Sequence, residues 1–498
     1  MKKLGIVLMG IVLALPSQLT GQSFTETALM FSRVKPAGSA RMMGMGGAQT
    51  SLGGDYSSAF SNPAGLGMFN RSEFTVSPGF YGSNTTGKFF NNTTSDSKTN
   101  LHIPGFSLVF QTEKDGRLGF LSGTFAITYN RINNFNENFS YAGNNPSSSI
   151  IDYFIEDATG YSSTQFNTNG DLYNSVTWLG YQNFLLEEDG GYPGEYYSVV
   201  GGFPHQSESV QYRGNQGQWN LSYGANLSDK IFLGAGIGLT ALRFSSKKTF
   251  RERFENEPLS TILLEEELNI RGSGINATLG LIGRPVDIIQ VGISYTTPTL
   301  YSVTDVYSAF MATNWNNFDY FGDGSEILND VSEQTSEIIS EYSLKTPGRL
   351  NVGAAIFIGK QGFVSADLEL VNYSGARYSS GLSGISFESD NATIGEVYQT
   401  TTNIRLGGEF RLDKFRFRAG GSYMPDPFRA TQNNSSQAIT SISGGVGYRT
   451  PKFYVDFALI FANSANTYRP YRVNMPNSPL VNIDKQTSFG MFTLGFPF

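Results

Sequence analysis

"TSFGMFTLGFPF", residues 487–498, closes the chain and places Phe492, Leu494, Phe496 and Phe498 at a spacing of two. Successive side chains of an extended strand point to opposite faces, so these four share one face. Two all-β settings accommodate such a strand, the edge of a sandwich and the closing strand of a barrel. A sandwich edge is not normally this aromatic at the chain terminus. A strand with one strongly apolar face, ending on Phe, resembles the closing strand that outer-membrane barrels present to their assembly machinery.

The opposite end points the same way. Lys2 and Lys3 precede an apolar run from Leu4 to Leu15, which Pro16 breaks before small and polar residues lead to Gly21. This is the pattern of a secretory signal peptide over residues 1–21, because about twelve apolar residues cannot span a bilayer core. The chain has no Cys, which excludes disulfides, a thiolate metal site and a lipid-bearing N-terminal cysteine. Aromatic residues make up 14%, charged residues only 15%, and glycines number 57. Soluble domains usually carry about 25% charged residues. The balance fits an all-β protein with much of its surface in a non-aqueous medium. The net charge of −7 argues against a nucleic-acid partner.

Barrels of this kind alternate apolar and polar residues over segments of about ten, joined by short turns on one side and longer loops on the other. Six short turns can be read directly: "EKDGR" (113–117), "SDK" (228–230), "RPVD" (284–287), "GKQG" (359–362), "LDKF" (412–415) and "RTPK" (449–452). Six hairpins, a strand near 72–82 and the terminal strand near 483–498 make about fourteen strands. Alternation supports the count: Ile231, Leu233, Ala235, Ile237 and Leu239 face one way, opposed mostly by Gly, and Phe453, Val455, Phe457, Leu459 and Phe461 alternate with Tyr454 and Asp456. The apolar face is expected to meet lipid and the small and charged face to line the lumen. Long extracellular loops are expected at about 132–207 and 311–334. The first contains two amphipathic stretches with Tyr153, Phe154, Trp178, Leu179 and Phe184, which could bind an apolar ligand or simply cap the barrel.

Residues 22–71 contain no alternation long enough for a strand and are too few for an independent domain. Within them lies "SARMMGMGGAQTSLGGDYSSAFSNPAGLG" (39–67). Its pieces Ala40-Arg41, Gly44-Met45-Gly46-Gly47-Ala48, Leu52, Asp55, Ser58-Ala59 and Asn62-Pro63-Ala64-Gly65-Leu66 resemble the N-terminal hatch signature of the FadL/TodX outer-membrane transporters of hydrophobic compounds. "KTPGRLNVGAA" (345–355) also resembles a recurring strand segment of that family. The resemblance implies a fourteen-stranded barrel, 72–498, plugged by a hatch, 22–71, and passive uptake of long-chain fatty acids or other apolar compounds. It implies capture on extracellular loops, a lumen site beside the hatch, and lateral exit through a gap in the wall. Phe24 matches the hatch tip that contacts ligand in the family, and Asn62, Pro63 and Ala64 form an element expected to gate. A gap needs a broken ladder, and Pro104, Gly105, Gly119 and Gly123 are candidates for it, though ordinary strand glycines would look the same.

An acidic ligand would call for a lumen cation. Alternation turns Arg349, Arg405, Arg416 and Arg418 inward, but also Asp367, Glu369, Glu409 and Asp456, so neutralising pairs across adjacent strands account for the arginines without any ligand. Arg349 and Arg405 are kept as ligand candidates. Arg271 joins them, beside an expected phase slip at "NIRGSGIN" (269–276). No catalytic residue, metal or cofactor is expected. His102 and His205, the only histidines, lie near no nucleophile motif, and nothing clusters to ligate haem. The expected setting is the outer membrane of a Gram-negative cell, as a monomer among its lipids. The same hatch-bearing architecture also resembles the shuttle component of the type IX secretion system, whose loops hold cargo proteins. A deletion strain separates the two: loss of growth on hydrophobic substrates marks transport, and cargo accumulating in the periplasm marks the shuttle.

Overall fold

The computed structural model describes residues 23–113, 119–382, 384–429, 436–474 and 478–498. The expected signal peptide and most of the 113–117 turn lie outside them. Strands β1, Glu73–Phe89, β2, Asn92–Glu113, and β3, Phe120–Asn134, open the barrel wall. After a long insertion come β4, His205–Leu227, β5, Ile231–Arg253, and β6, Leu259–Val286. Two strands are interrupted: β7 comprises Ile289–Thr296 and Leu300–Asp319, and β8 comprises Ile338–Lys345 and Arg349–Ile358. Pro298 and Pro347, which have no N–H to donate, sit in the two interruptions. The wall continues through β9, Gly362–Asn372, β10, Thr400–Leu412, and β11, Phe415–Met424. It ends with β12, Ile439–Arg449, β13, Tyr454–Tyr468, and β14, Val481–Pro497. Each strand pairs antiparallel with its chain neighbours, and β14 returns to β1, from Phe74↔Phe496 to Lys88↔Asn482. Fourteen strands therefore close into a barrel.

The period-two pattern of the sequence sets the wall's two faces. On β5, Ile231, Leu233, Ile237 and Leu239 are exposed while Phe232, Thr240 and Leu242 are buried. On β14, Phe492 and Phe496 are exposed, as is Phe498 just past its end, while Met491 and Thr493 point inward and are buried. Phe496 stacks on Phe74 of β1 with ring centroids 6.4 Å apart, so the last strand closes the barrel with an aromatic contact on the lipid side. About ten residues of tilted strand cross an apolar band of ~25 Å. β5 and β6, at 23 and 28 residues, are more than twice that length and project beyond it.

This projection shifts the expected loop boundaries. The loop expected at 132–207 is shorter, because β3 runs to Asn134 and a further strand, Glu137–Asn144, pairs with β4. The insert expected at 311–334 is largely strand: β7 continues to Asp319 and Ile327–Gln334 pairs back onto it. The first hairpin has no long loop at all. β1 and β2 are joined by Phe90 and Asn91, with Phe90 at φ 48. Outside the bilayer both faces of a strand meet water or loops, so the apolar alternation that marks a membrane strand disappears while the ladder continues.

Candidate functional site

The N-terminal segment folds by local capping. Ser23 accepts from Glu26 N–H (3.2 Å) and starts the helix Phe24–Ser32, and Ser39 accepts from Met42 N–H (3.3 Å) to start Ala40–Met43. Asn62 accepts from Ala64 N–H (3.2 Å) and caps the 3₁₀ turn Pro63–Met68. Asp55, buried within this segment, is held by serines. It accepts from Ser39 Oγ (2.7 Å), Ser57 Oγ (2.6 Å) and Ser57 N–H (3.0 Å), tying the two halves together.

The same segment bonds to strands around the barrel. Ala40 N–H donates to Thr493 on β14 (2.8 Å) and Gly46 N–H to Ser443 on β12 (2.9 Å). The Gln49 and Thr50 N–H groups both donate to Asp367 on β9 (2.7 and 2.8 Å). Ser222 on β4 and Ser294 on β7 donate to the carbonyls of Ala59 (2.9 Å) and Ser61 (2.7 Å). Arg41 Nε lies 3.3 Å from Glu409, which also holds Arg418 (2.8 Å) and Arg411 (2.9 Å); Arg418 reaches on to Asp456 (2.7 Å). Inward glycines make the close approach possible. A Cβ on Gly407 would stand 2.2 Å from the Met45 carbonyl oxygen, and one on Gly234 would stand 2.1 Å from the Pro63 carbonyl carbon.

The β2–β3 ladder stops short of the strand ends. β2 pairs with β3 from Glu113↔Ser122 up to Gly105↔Asn130, and above that point β2 pairs only with β1. Two features flank the break. On one side, Ile103 and Pro104 of β2 stand opposite Pro78 alone, a bulge with a proline on each strand. On the other, Ile132 is the extra residue of β3 against β4, between Arg131↔Gly217 and Asn133↔Gln216. Neither proline can donate to a ladder, and a bulge bends its strand. Above the break the Glu137–Asn144 strand lies against β2, where Lys98 Nζ donates to Asn138 Oδ1 (3.0 Å) and Ser140 Oγ to Asp96 (2.7 Å).

Behind the break lies a cavity of about 140 Å³ whose lining includes Lys35, His102, Pro104, Arg131, Asn133 and Lys485. A second, of about 690 Å³, lies against the helix Phe24–Ser32 and is lined by Leu29, Met30, Phe135, Tyr212, Phe244 and Tyr398 among others. The two share Lys35, Asn133, Asn134 and Lys485, so they adjoin. Lys485 is paired with Glu137. Burial lowers Lys35 to about 7, with Lys485 and Arg33 pushing the same way and Glu137 opposing.

No protein-family model and no curated protein matches the sequence. Among solved structures, the chain is similar to a Pseudomonas aeruginosa FadL homologue, with a TM-score of 0.55 and 12% identity over 93% of this chain and 99% of that one. The Pseudomonas putida toluene transporter TodX has a TM-score of 0.50 and 12% identity, over 92% of this chain and 98% of that one. The chain has the FadL/TodX fold.

Within the FadL/TodX fold the expected site residues separate. Pro104 and Gly105 stand at the break, but Gly123 sits in an unbroken ladder between Thr112 and Ala225, and Gly119 lies at the far turn with φ 77. Phe24 stands in the upper lumen against Tyr342, Tyr378 and Phe387, with ring centroids 5.4, 5.2 and 5.0 Å away. Asn62, Pro63 and Ala64 pack against β5, β6 and β7 and not beside the break: Asn62 Nδ2 donates to Thr50 O (2.7 Å) and approaches the Leu281 and Ile293 carbonyls at 3.4 Å. Tyr153, Phe154, Trp178, Leu179 and Phe184 come together in one loop core, against Phe250, Ile262 and Trp315.

Arg405 pairs with Glu369 (2.9 Å). Arg349 lies over the Phe60 ring (5.4 Å), and the cavity it shares with Arg405 is about 20 Å³, room for one water. Arg271 is exposed on the outer face, in a ladder with β5 that shows no slip. Gly272 and Gly274 take the alternate positions that follow it, so this stretch offers little apolar contrast from which to read the phase. The missed residues are Pro78, Ile132, Lys35 and Lys485. Pro78 alone carried a sequence signal.

Proposed function

We propose that this chain is an outer-membrane channel of the FadL/TodX family for passive uptake of hydrophobic molecules, with residues 22–71 as its hatch. The observation that carries this reading is the end of the β2–β3 ladder at Gly105↔Asn130, beside residues that line the 140 Å³ cavity. A ligand captured outside reaches the larger cavity beside Phe24–Ser32, passes the Lys35 junction, and leaves sideways between β2 and β3. Lateral exit returns an apolar chain to hydrocarbon without exposing it to periplasmic water. Cavities of roughly 150 Å³ hold a benzene-sized group, so the lower site suits a ring or a threaded acyl chain. Lys35, Arg131 and Lys485 would meet an acidic head, which favours long-chain fatty acids. Neighbours with the same fold point to the same class, one being a toluene transporter by name.

The gate in this reading is residues 33–37, which lead from the helix past the junction, while Asn62-Pro63-Ala64 anchors the hatch. Pro104→Val supplies the missing N–H and lets β2 straighten toward β3. The expected result is at least a fivefold fall in the initial rate of labelled long-chain fatty acid uptake, with heat-modifiable barrel mobility unchanged. An unchanged rate from a folded variant would exclude lateral exit here.

A further inference from the structure

On the outer face of β4, β5 and β6, Arg213, Arg243, Lys247, Arg251, Arg253 and Arg271 are all exposed, in a chain of net charge −7. Arg243 and Arg271 stand directly opposite each other in the β5–β6 ladder. Directly opposed Cβ atoms lie about 4.5–5.5 Å apart, and like charges so placed repel. Among the described residues neither guanidinium has an ion pair or hydrogen-bond partner. The positions across the ladders are Asn215 on β4 and Thr304 on β7, with Glu341 beyond Thr304. The outward carboxylates of β6, Glu265 and Glu267, lie further up, opposite Thr249 and Lys247. They accept from Thr249 (3.3 Å) and Asn269 (2.9 Å).

Depth identifies what covers this pair. Ile237 and Leu239 on β5 and Ile275 and Leu279 on β6 are exposed and apolar, with Trp219 and Tyr223 of β4 beside them. Arg243 and Arg271 follow two outward positions above Leu239 and Ile275, about 10 Å along the barrel axis at strand rise and tilt. Interfacial aromatics mark the edge of the apolar band, so the arginines reach headgroup level on the side where the strands project. Guanidinium groups match phosphate geometry bidentately.

We propose that Arg243 and Arg271, with Arg213 beside them, bind the phosphates of an anionic saccharolipid of the outer leaflet. The inference rests on the outer-membrane reading above. Its lipid-facing site is separate from the lumen. The test is native mass spectrometry of delipidated protein in detergent, titrated with bisphosphoryl lipid A, monophosphoryl lipid A or phosphatidylethanolamine. The expected order of affinity follows phosphate charge, and R243Q/R271Q should lose at least tenfold for the bisphosphoryl form. Lys88→Gln, an exposed cation removed elsewhere, should lose none. Undiminished binding by R243Q/R271Q, or equal binding of phosphatidylethanolamine by the wild type, overturns the site. A wild-type protein that binds the lipid but takes up nothing would overturn the channel reading and support this one.

Discussion

Glu409 holds Arg41, Arg411 and Arg418 within 3.3 Å, and its side chain is almost wholly buried. Breaking a buried pair strands its partners, at a typical cost of about 3–5 kcal/mol. Glu409→Gln should therefore lower barrel stability by that order in urea unfolding from lipid vesicles. Asp484→Asn, which removes the half-exposed partner of Lys88 (2.7 Å), should cost under about 1 kcal/mol. At this scale alternation was enough to turn Arg405, Arg418, Glu369 and Glu409 inward. It could not pair Arg41 with Glu409, because those residues are 368 positions apart and belong to different ladder contexts.

Among elements, the 3₁₀ turn Pro63–Met68 depends on Asn62 for its first N–H and for its hold on Thr50. Removing an N-cap costs about 1 kcal/mol, and here two further carbonyl contacts go with it. Asn62→Ala should raise hydrogen exchange across 62–69 while the wall strands keep their protection; unaltered exchange would show that Asn62 is no anchor. Pro104-Gly105 was readable as a weak point because Pro lacks a donor wherever it falls. Gly123 was misread because glycine also marks close approach: a Cβ there would lie 2.0 Å from the Tyr223 hydroxyl. The Ile132 bulge has no signature of its own, since a bulge exists only relative to the register of its partner.

For the whole molecule, the two adjoining cavities meet at Lys35. Its ammonium is lowered to about 7, so the cation is populated below that pH and lost above it. Fatty acid affinity should fall as pH rises from about 6 to 8.5 in a tryptophan-quench or isothermal titration, while a neutral ligand such as toluene shows no such fall. Lys35→Gln should abolish the difference. Arg33, Arg131 and Lys485 keep some attraction for the acid throughout, with Glu137 opposing them.

Strand periodicity is a local property, imposed by the pleat on each short stretch of chain. For that reason the sequence alone determined a fourteen-stranded barrel, its lipid and lumen faces, and its closing strand at Phe492–Phe498. Only the tertiary structure decided where the ladder fails, which cavity lies behind the failure, and that Arg271 looks outward beside Arg243. Those features depend on register between strands and on distant residues such as Lys35 and Lys485 lining one cavity, which happens only once the barrel has closed around its N-terminal segment.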